Sequence, residues 1–407
     1  MKMQSGDTAR RRTAGRCVLG CVVAALAAAT SACTTTHARP STRQLALAES
    51  GSAISRTPGS PGSLAPALSS GPFSVAPSQS AQVAPPAAAV ALWPAPAAPN
   101  APGYLAPGSD PGVLPGPLLI ADKGNNRLLV VDPQGRVLWQ WPQPGDLAAG
   151  QSFRIPDDAF FTPDGKNIVA TQEDDFAITE INIATRKIVW RYGHPGVPGS
   201  GPGYLWNPDD AMQLPDGNVI AADIKNCRLV QLKPGTPAPI WTAGRLGTCR
   251  HDPPASFGSP NGVFPLPNGH FLVTEINGDW VDEIDLAGHV YWSTRPPGIR
   301  YPSDSSQYKP GQYLSVDYSS PGQVLIFDST GHQLWRWNPA SGPGRLNHPS
   351  LAEALPNGDI VLNDDWNHRV IVIDPTTNKI VWQYGHTGVP GSAPGYLNTP
   401  DGQDLAP

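Results

Sequence analysis

One unit of this 407-residue chain decides its fold, and it is clearest between residues 207 and 241, NPDDAMQLPDGNVIAADIKNCRLVQLKPGTPAPIW. Short apolar runs alternate there with turn residues, and Pro215-Asp-Gly217 supplies a glycine suited to positive φ. The pattern predicts four short strands, at residues 210–214, 218–222, 228–232 and 240–241. Because the intervening turns are short, neighbouring strands are expected to pair antiparallel.

The same unit recurs along the chain. Six tryptophans, each at the end of a short apolar run, lie 51, 51, 51, 43 and 47 residues apart, at Trp139, Trp190, Trp241, Trp292, Trp335 and Trp382. Six prolines follow the same period, at Pro156, Pro208, Pro260, Pro302, Pro349 and Pro400. Four strands every ~40 to 50 residues are typical of a propeller blade. We therefore predict an all-β fold, a six-bladed β-propeller over residues 113–407.

The two ends of this region predict how the ring closes. Residues 118–121 have the pattern of a second strand, so the first unit lacks its innermost strand. The C-terminal residues 399–405 match the first-strand region at 207–214 and are followed by no further blade. We therefore predict that the C-terminal strand completes blade 1, which leaves the ring without an exposed edge.

Three stretches of the repeat resemble NHL repeats: residues 121–132 (ADKGNNRLLVVD), 222–232 (ADIKNCRLVQL) and 364–374 (DDWNHRVIVID). The glycine-rich loops at 199–208 and 341–349 are similar to the lead into such a repeat. The resemblance covers roughly residues 113–407, although blades 2, 4 and 5 lack its Asn-x-Arg signature. It implies a six-bladed propeller, and this family and its relatives include protein-binding platforms, lyases, lactonases and sulfotransferases.

The outer strands carry a second resemblance. Residues 183–190 and 374–382 are similar to the tryptophan-docking strands of quinoprotein-like propellers with PQQ-like repeats. Those enzymes usually have eight blades, whereas six units are present here. Pyrroloquinoline quinone is therefore not predicted as a cofactor.

The N-terminal third has the pattern of an export signal followed by a linker. Basic residues precede an apolar run at 18–29, and residues 30–33 resemble a lipobox that ends at Cys33. We predict a signal peptide over residues 1–33 with lipidation at Cys33, the alternative being an ordinary secretory signal. Residues 34–112 are rich in Ala, Pro and Ser and predict a disordered tether. The expected location is the cell envelope, with the protein a membrane-anchored lipoprotein.

Charge and cysteine content limit the partners. The net charge is -5 and the 28 Lys and Arg residues are scattered, so nucleic acid is not expected as a partner. Only two of the five cysteines lie in the predicted propeller, and an exported protein enters an oxidising compartment. We therefore predict a disulfide between Cys227 and Cys249.

The entries to the innermost strands carry the strongest candidate site. Each repeated proline is followed by a side chain with an oxygen atom, at Asp157, Asp209, Asn261, Ser303, Ser350 and Asp401. A second acid follows in three blades, at Asp158, Asp210 and Asp304. Innermost strands converge on the axis, so these groups predict a cation or polar-ligand site at the mouth of the channel. Hard oxygen ligands suit Ca²⁺ or Mg²⁺, and Asp157, Asp209 and Asp401 are the candidate metal ligands. The alternative is that the polar side chains hydrogen-bond the backbone where each strand begins.

Three further sets of residues have a structural and a functional interpretation. Carboxylates end the second strands, at Asp122, Glu173 or Gln172, Asp223, Glu275, Asp317 and Asp364, and they are either a binding rim or partners of nearby arginines and amides. Histidines lie in loops between blades, at His194, His251, His348 and His386, where two of them could form a zinc or catalytic site. The repeated tryptophans either pack each blade on its neighbour or stack on a ligand.

Two functions remain open at this level. The first is a non-catalytic binding platform for a protein or small ligand outside the cytoplasm, held to the membrane by the lipid anchor. The second is a metal-dependent lyase or hydrolase with its site over the central channel. A bound metal or a deep charged pocket would favour the enzyme, and a flat or apolar top face would favour the platform.

Overall fold

The computed structural model describes Trp93 and residues 103–407, and this part of the chain is a six-bladed β-propeller. Twenty-four strands in these residues form six four-stranded antiparallel sheets. The predicted signal peptide, Cys33 and most of the predicted tether lie outside the described residues. No helix in the described part of the chain is long and apolar enough to cross a bilayer.

The strands are numbered β1 to β24 in chain order. Blade 1 begins with β1 (Leu118–Asp122), β2 (Arg127–Val131) and β3 (Val137–Trp141). Blades 2 and 3 comprise β4 (Ala159–Phe161), β5 (Asn167–Gln172), β6 (Ala177–Asn182), β7 (Lys187–Gly193), β8 (Pro208–Gln213), β9 (Val219–Asp223), β10 (Arg228–Leu232) and β11 (Trp241–Gly244). Blades 4 and 5 comprise β12 (Pro260–Pro265), β13 (Phe271–Glu275), β14 (Trp280–Ile284), β15 (Val290–Thr294), β16 (Pro302–Lys309), β17 (Gln312–Asp317), β18 (Gln323–Asp328) and β19 (Gln333–Trp337). Blade 6 comprises β20 (Ala352–Ala354), β21 (Ile360–Asp364), β22 (Arg369–Asp374) and β23 (Lys379–Gly385), and β24 is Pro400–Leu405.

The predicted repeat unit agrees with blade 3 except at its outer strand. The third predicted strand coincides with β10, and Gly217 in the first turn has φ of 83°. The fourth strand begins at Trp241 and continues to Gly244, whereas the sequence pattern placed its end at the tryptophan. The small residues after the tryptophan, Thr242, Ala243 and Gly244, pair with β10, because backbone hydrogen bonds do not require large apolar side chains to extend this edge strand.

The ring closes as predicted. β24 pairs antiparallel with β1, with Leu405 opposite Leu118 and Gln403 opposite Ile120. The sheet order of blade 1 is therefore β24, β1, β2 and β3. The C-terminal strand thus lies innermost in the first blade, and β1 is paired along both of its edges.

The core lies between the blades because the middle strands of the blades carry apolar side chains on both faces. In β1, Leu119 and Ala121 pack against blade 2, whereas Leu118 and Ile120 pack against blade 6. Side chains of a strand alternate between its two faces, so a fully apolar strand is what a sheet covered on both faces requires.

The six repeated tryptophans pack on apolar clusters shared with the next blade, which confirms their structural interpretation. Trp382 is fully buried, and its indole N–H donates to the carbonyl of Pro133 in blade 1 at 2.9 Å. Trp335 makes the corresponding contact with Asn378 of blade 6, also at 2.9 Å. A large rigid ring therefore covers the gap between neighbouring sheets in each repeat.

In blades 1, 3 and 6 the residues of the Asn-x-Arg signature hold the loop that leads into the blade. In blade 3 the Oδ2 of Asp223 accepts from Arg228 Nε at 2.7 Å and from Asn226 Nδ2 at 2.8 Å. Its Oδ1 accepts from the backbone N–H of Trp206 at 2.8 Å. Asp122 and Asp364 have the same set of partners in blades 1 and 6. These carboxylates are fully buried, so they stabilise the turn rather than form a rim.

Two further contacts secure the surface of the propeller. Cys227 and Cys249 form the predicted disulfide, with Cα atoms 5.0 Å apart. Residues 105–110, at the end of the segment predicted as a tether, lie along β23: Ala106 N–H donates to the Gln383 carbonyl and Asp110 N–H to the Val381 carbonyl.

Candidate cation site at the channel mouth

The innermost strands begin with a bulge, and this bulge explains why two successive acids reach the axis. In β8 the pairing with β9 passes from Asp209 to Ala211, so Asp210 is an extra residue with φ of 39°. β12 and β16 have the same irregularity directly after their first proline. Successive side chains of a regular strand lie on opposite faces. A bulge changes the direction of one of them, so two successive side chains can lie on the same side. Asp209 and Asp210 can therefore both face the channel.

These strands surround a charged pocket at the channel mouth, which is the end of the channel where the innermost strands begin. The pocket has a volume of about 70 Å³. It is lined by Lys123, Asp157, Asp158, Glu173, Asp209, Asn261, Tyr301, Ser303, Asp304, Tyr318 and Asp401. Six of the seven predicted site residues line it, and the seventh, Asp210, lies next to Asp158 and Asp304. The name axial acid cluster is used below for Asp157, Asp158, Asp209, Asp210, Asp304 and Asp401.

The name outer layer is used for Asp157, Asp209 and Asp401, and Lys123 contacts two of these three acids. Its ammonium contacts the carboxylates of Asp157 and Asp401, the second with Nζ–Oδ2 of 2.6 Å, and lies 3.7 Å from Glu173 Oε2. Burial opposes this positive charge, but the three surrounding carboxylates raise the pKa of Lys123 well above its usual range. Two of the three predicted metal ligands are therefore paired with a protein cation, and Asp209 has no such partner among the described residues.

The inner layer is formed by Asp158, Asp210 and Asp304, which come from three different blades. Each offers an oxygen within 4.8 Å of the other two. All three are buried, and in each the Oδ1 atom has no hydrogen-bond partner in the described chain. Asp210 uses its Oδ2 to accept from Val263 N–H at 2.9 Å. Buried polar atoms are nearly always satisfied, so three acids that converge and each keep an unpartnered oxygen indicate a space for protons or a cation.

Like-charge proximity has a clear electrostatic consequence. Burial raises the pKa values of Asp158, Asp209 and Asp304 well above the usual range, and the neighbouring carboxylates raise them further. Burial raises the pKa of Asp210 to about 7, against the hydrogen bond from Val263. Burial would also raise the pKa of Asp401, but Lys123 and a hydrogen bond from Asp157 lower it. Asp401 is thus held ionised beside Lys123, whereas burial and the neighbouring carboxylates favour protons on Asp158, Asp209 and Asp304, and also on Asp157, whose pKa is raised for the same reasons.

Four residues in or beside the pocket were not among the predicted channel-mouth ligands, namely Lys123, Glu173, Tyr318 and Asp365, although Glu173 was one of the two residues considered for the rim in blade 2. Each directly follows the residue that ends a second strand, where a short turn begins. In three blades this turn is a 3₁₀ turn, at Lys123–Asn125, Glu173–Asp175 and Asp365–Asn367. Their common position in the repeat was the available signal. The preceding residue, which is a carboxylate in most blades, is the more regular feature of the repeat. In blade 2 that position is occupied by Gln172, and Glu173 follows it.

Two larger clefts lie away from this pocket. One of about 560 Å³ lies between blades 3 and 4 and includes Leu214 and Phe271, and one of about 400 Å³ lies between blades 5 and 6 beside Trp337. Neither includes a member of the axial acid cluster. The charged groups that could perform chemistry are therefore concentrated in the smallest of these spaces.

Comparison with known proteins supports the fold and goes no further. No protein-family model matches this chain, and no curated protein matches it. A protein of unknown function from Bacteroides caccae is similar in structure, with a TM-score of 0.51 and 16% identity over 72% of this chain and 99% of its own. The nidogen/laminin complex gives a TM-score of 0.45 at 14% identity, over 72% and 98%. A streptogramin B lyase gives 0.43 at 15%, over 63% and 74%.

The fold and this likeness define the chain as a β-propeller protein. At 16% identity the likeness to the Bacteroides caccae protein extends to the fold alone. The more specific NHL resemblance of the repeats has no match among family models and stays a prediction.

Proposed function

We propose that this protein is a non-catalytic binding propeller that holds a hard divalent cation, Ca²⁺ or Mg²⁺, in the inner layer of its axial acid cluster. The observation that carries the proposal is the convergence of Asp158, Asp210 and Asp304: each offers a carboxylate oxygen within 4.8 Å of the other two, and each has a buried oxygen without a hydrogen-bond partner in the described chain. Carboxylate oxygens without Cys or His are the ligands that these cations prefer.

The position of the inner layer gives such a cation a structural effect. Its ligands come from blades 2, 3 and 5, so one ion would join three sheets that are distant in sequence. A divalent ion bound by the three carboxylates would also offset the repulsion between them. Without an ion, that repulsion is reduced only when the carboxylates are protonated. The proposed ligands differ from the trio predicted from the sequence, because Lys123 contacts two members of that trio.

The size of the pocket supports a small ligand above the ion. About 70 Å³ has room for a few water molecules or a small polar group and not for a whole metabolite. Lys123, Tyr301 and Tyr318 provide donors at its rim. The propeller would then present this mouth to a protein or small polar ligand outside the cytoplasm.

Export and anchoring are part of the same proposal. A disulfide between Cys227 and Cys249 supports an oxidising compartment. The signal-like residues 1–33 and the lipobox-like Cys33 support a lipid anchor at the cell envelope.

A metal-dependent lyase or hydrolase is the second candidate, and the charged character of the pocket is the observation that favours it. The available groups are nevertheless poor bases. Carboxylates raise the pKa of Lys123, and burial raises that of Tyr301 to about 12. A base would have to come from the carboxylates themselves, which the proposed cation would occupy.

The test compares two triple variants that each replace three carboxyl groups of the axial acid cluster. Wild type, D158N/D210N/D304N and D157N/D209N/D401N are melted with Ca²⁺, with Mg²⁺ and with chelator. We expect the cation to raise the Tm of wild type by several degrees, the inner-layer variant to lose the response, and the outer-layer variant to keep most of it. Binding measured by calorimetry should follow the same order.

A wild-type Tm unaffected by cation and chelator would overturn the proposal and leave the cluster with a structural role. An equal response of wild type and the inner-layer variant would place the ion elsewhere, which also overturns it. Turnover of model esters or lactones that requires the inner-layer acids would favour the enzyme.

A further inference from the structure

Blade 4 departs from blades 1, 3 and 6 in the slot between its second and third strands. In blades 1, 3 and 6 the pair that ends β1, β9 and β21 and begins β2, β10 and β22 is Asp opposite Arg. In blade 4 the corresponding pair is Glu275 opposite Trp280. The buried carboxylate keeps its place, and its arginine is absent.

The arginine is replaced by a second acid and a histidine. His251 Nδ1 lies 3.1 Å from Glu275 Oε1 and 3.9 Å from Asp282 Oδ2. One ligand atom of each of these three residues lies within 4.8 Å of the other two. No Lys or Arg of the described chain forms an ion pair with either carboxylate. Glu275 and Asp282 thus share a slot in which the imidazole of His251 is the basic group that contacts them.

The side-chain neighbours of Asp282 are Glu275, Ser293 and His251, and none of them is a Lys or Arg. The side chain of Asp282 is fully buried, and in the described chain no hydrogen bond of standard geometry reaches either of its oxygens. Glu275 is equally buried but accepts from Gly258 N–H at 2.5 Å through its other oxygen. A buried carboxyl group without a cationic partner, beside a second carboxyl group and a histidine, is an arrangement that a metal ion can complete.

The loop that carries His251 is held in place from two directions. Cys249, two residues before it, is bonded to Cys227 of blade 3. The imidazole stacks on Trp280 with ring centroids 4.0 Å apart and planes inclined by 7°. Arg295 lies 4.5 Å over the same tryptophan, which keeps the guanidinium out of the slot. The donor set is therefore preorganised without any ligand.

We infer that His251, Glu275 and Asp282 form a binding site for a divalent transition-metal ion, with Zn²⁺ as the best fit. One imidazole and two carboxylates match the nitrogen and oxygen donors of zinc sites with three protein ligands. The two carboxylates balance the charge of the ion. The histidine side chain is 21% exposed, so a fourth position is open to water or to a ligand group on that side.

The test is a titration of chelator-treated, tag-free protein with Zn²⁺ by calorimetry, and with Co²⁺ by visible absorption. Wild type should bind one ion in this slot, and H251A and D282N should each weaken binding at least tenfold and remove the tetrahedral Co²⁺ bands. Asn is isosteric with Asp, so D282N keeps the packing of the slot while it removes a charged ligand.

The matched control is H386A. His386 also lies in a loop between blades and stacks on an aromatic ring, Tyr396, with centroids 4.0 Å apart, but it is not among the candidate metal ligands. It should bind Zn²⁺ as wild type does. The triple variant D158N/D210N/D304N should likewise keep this site, which separates it from the axial acid cluster.

Absence of Zn²⁺ binding in wild type would overturn the inference. So would equal affinity in wild type, H251A and D282N. A loss of binding in D158N/D210N/D304N with retention in H251A would assign the zinc to the axial acid cluster and overturn it as well.

Discussion

At the scale of single residues, the main feature is how the chain tolerates acids in its interior. The Asp–Arg pairs of blades 1, 3 and 6 neutralise buried carboxylates with guanidinium groups and backbone amides. The inner layer of the axial acid cluster has no such cation among the described residues. Its acids are stable only as protonated groups or as ligands, because a buried unpaired charge is costly.

The first prediction concerns the pH dependence of stability through Asp210. Its folded-state pKa is raised to about 7 from 3.8, so between these values the folded protein binds a proton that the unfolded chain has released. Stability therefore falls as pH rises through this window. In chelator, D210N should match wild type near pH 4 and exceed it at pH 8 by up to about 4 kcal/mol, since one pKa unit is about 1.4 kcal/mol.

Asn is suited to this position for two reasons. It tolerates the positive φ of 39°, and its side-chain oxygen can still accept from Val263 N–H. Urea denaturation at both pH values is the measurement, with D328N, a surface aspartate, as the control that should show no such gain. A D210N protein less stable than wild type at pH 8 in chelator would contradict the prediction.

At the scale of elements, the loops between blades are organised by a few repeated contacts. Arg228 uses its terminal nitrogens to donate to the carbonyls of Ser200 and Tyr204 in the preceding glycine-rich loop. Arg127 binds Ser392 and Tyr396 in the same way. The signature that resembles NHL repeats is therefore a device that holds a long loop against its blade. Blade 4 holds its loop with a disulfide instead.

The second prediction is the contribution of that disulfide. The bond closes a loop with a sequence separation of 22 residues, and the loss of chain entropy in the unfolded state is worth about 3 kcal/mol at this length. C227S/C249S should lose about this amount in chemical denaturation. Reductant should destabilise wild type to a similar extent and leave the double variant unchanged. Equal stability of variant and wild type would show that the bond does not constrain the unfolded chain.

At the scale of the whole molecule, stability depends on closure between residues that are far apart in sequence. β24 supplies the inner strand of blade 1 and also brings Asp401 to the axial acid cluster. Gly402 N–H donates to the Asp157 carbonyl of blade 2. A single C-terminal strand thus completes a sheet, a blade interface and the pocket.

The third prediction is that deletion of residues 398–407 opens the ring. The deletion leaves β1 with an unpaired edge and exposes the apolar faces of blades 1 and 2, so the Tm should fall sharply and aggregation should increase. Calorimetry and light scattering are the measurements. Deletion of residues 34–92, in the predicted tether, is the control and should leave the Tm of the propeller unchanged. A similar Tm for both deletions would contradict a closing role for β24.

The sequence by itself determined the six-bladed fold, the closure by the C-terminal strand and the disulfide. The fold follows from the period of the repeat, the closure from the missing first strand of the first unit, and the disulfide from the presence of only two cysteines in the propeller. None of these predictions requires an interatomic distance. It also identified the residues of the axial acid cluster, because one position in a repeat maps to one place around the axis.

The tertiary structure alone decided how those acids are divided. Lys123 is distant in sequence from Asp157 and Asp401, yet the ring places all three together, so Lys123 pairs with two acids of the outer layer, whereas Asp158, Asp210 and Asp304 each keep an oxygen without a hydrogen-bond partner in the described chain. The slot of His251, Glu275 and Asp282 is likewise built from one loop and two strands. A repeat predicts which positions converge, whereas their charge state depends on atomic distances and burial that no pattern in the sequence encodes.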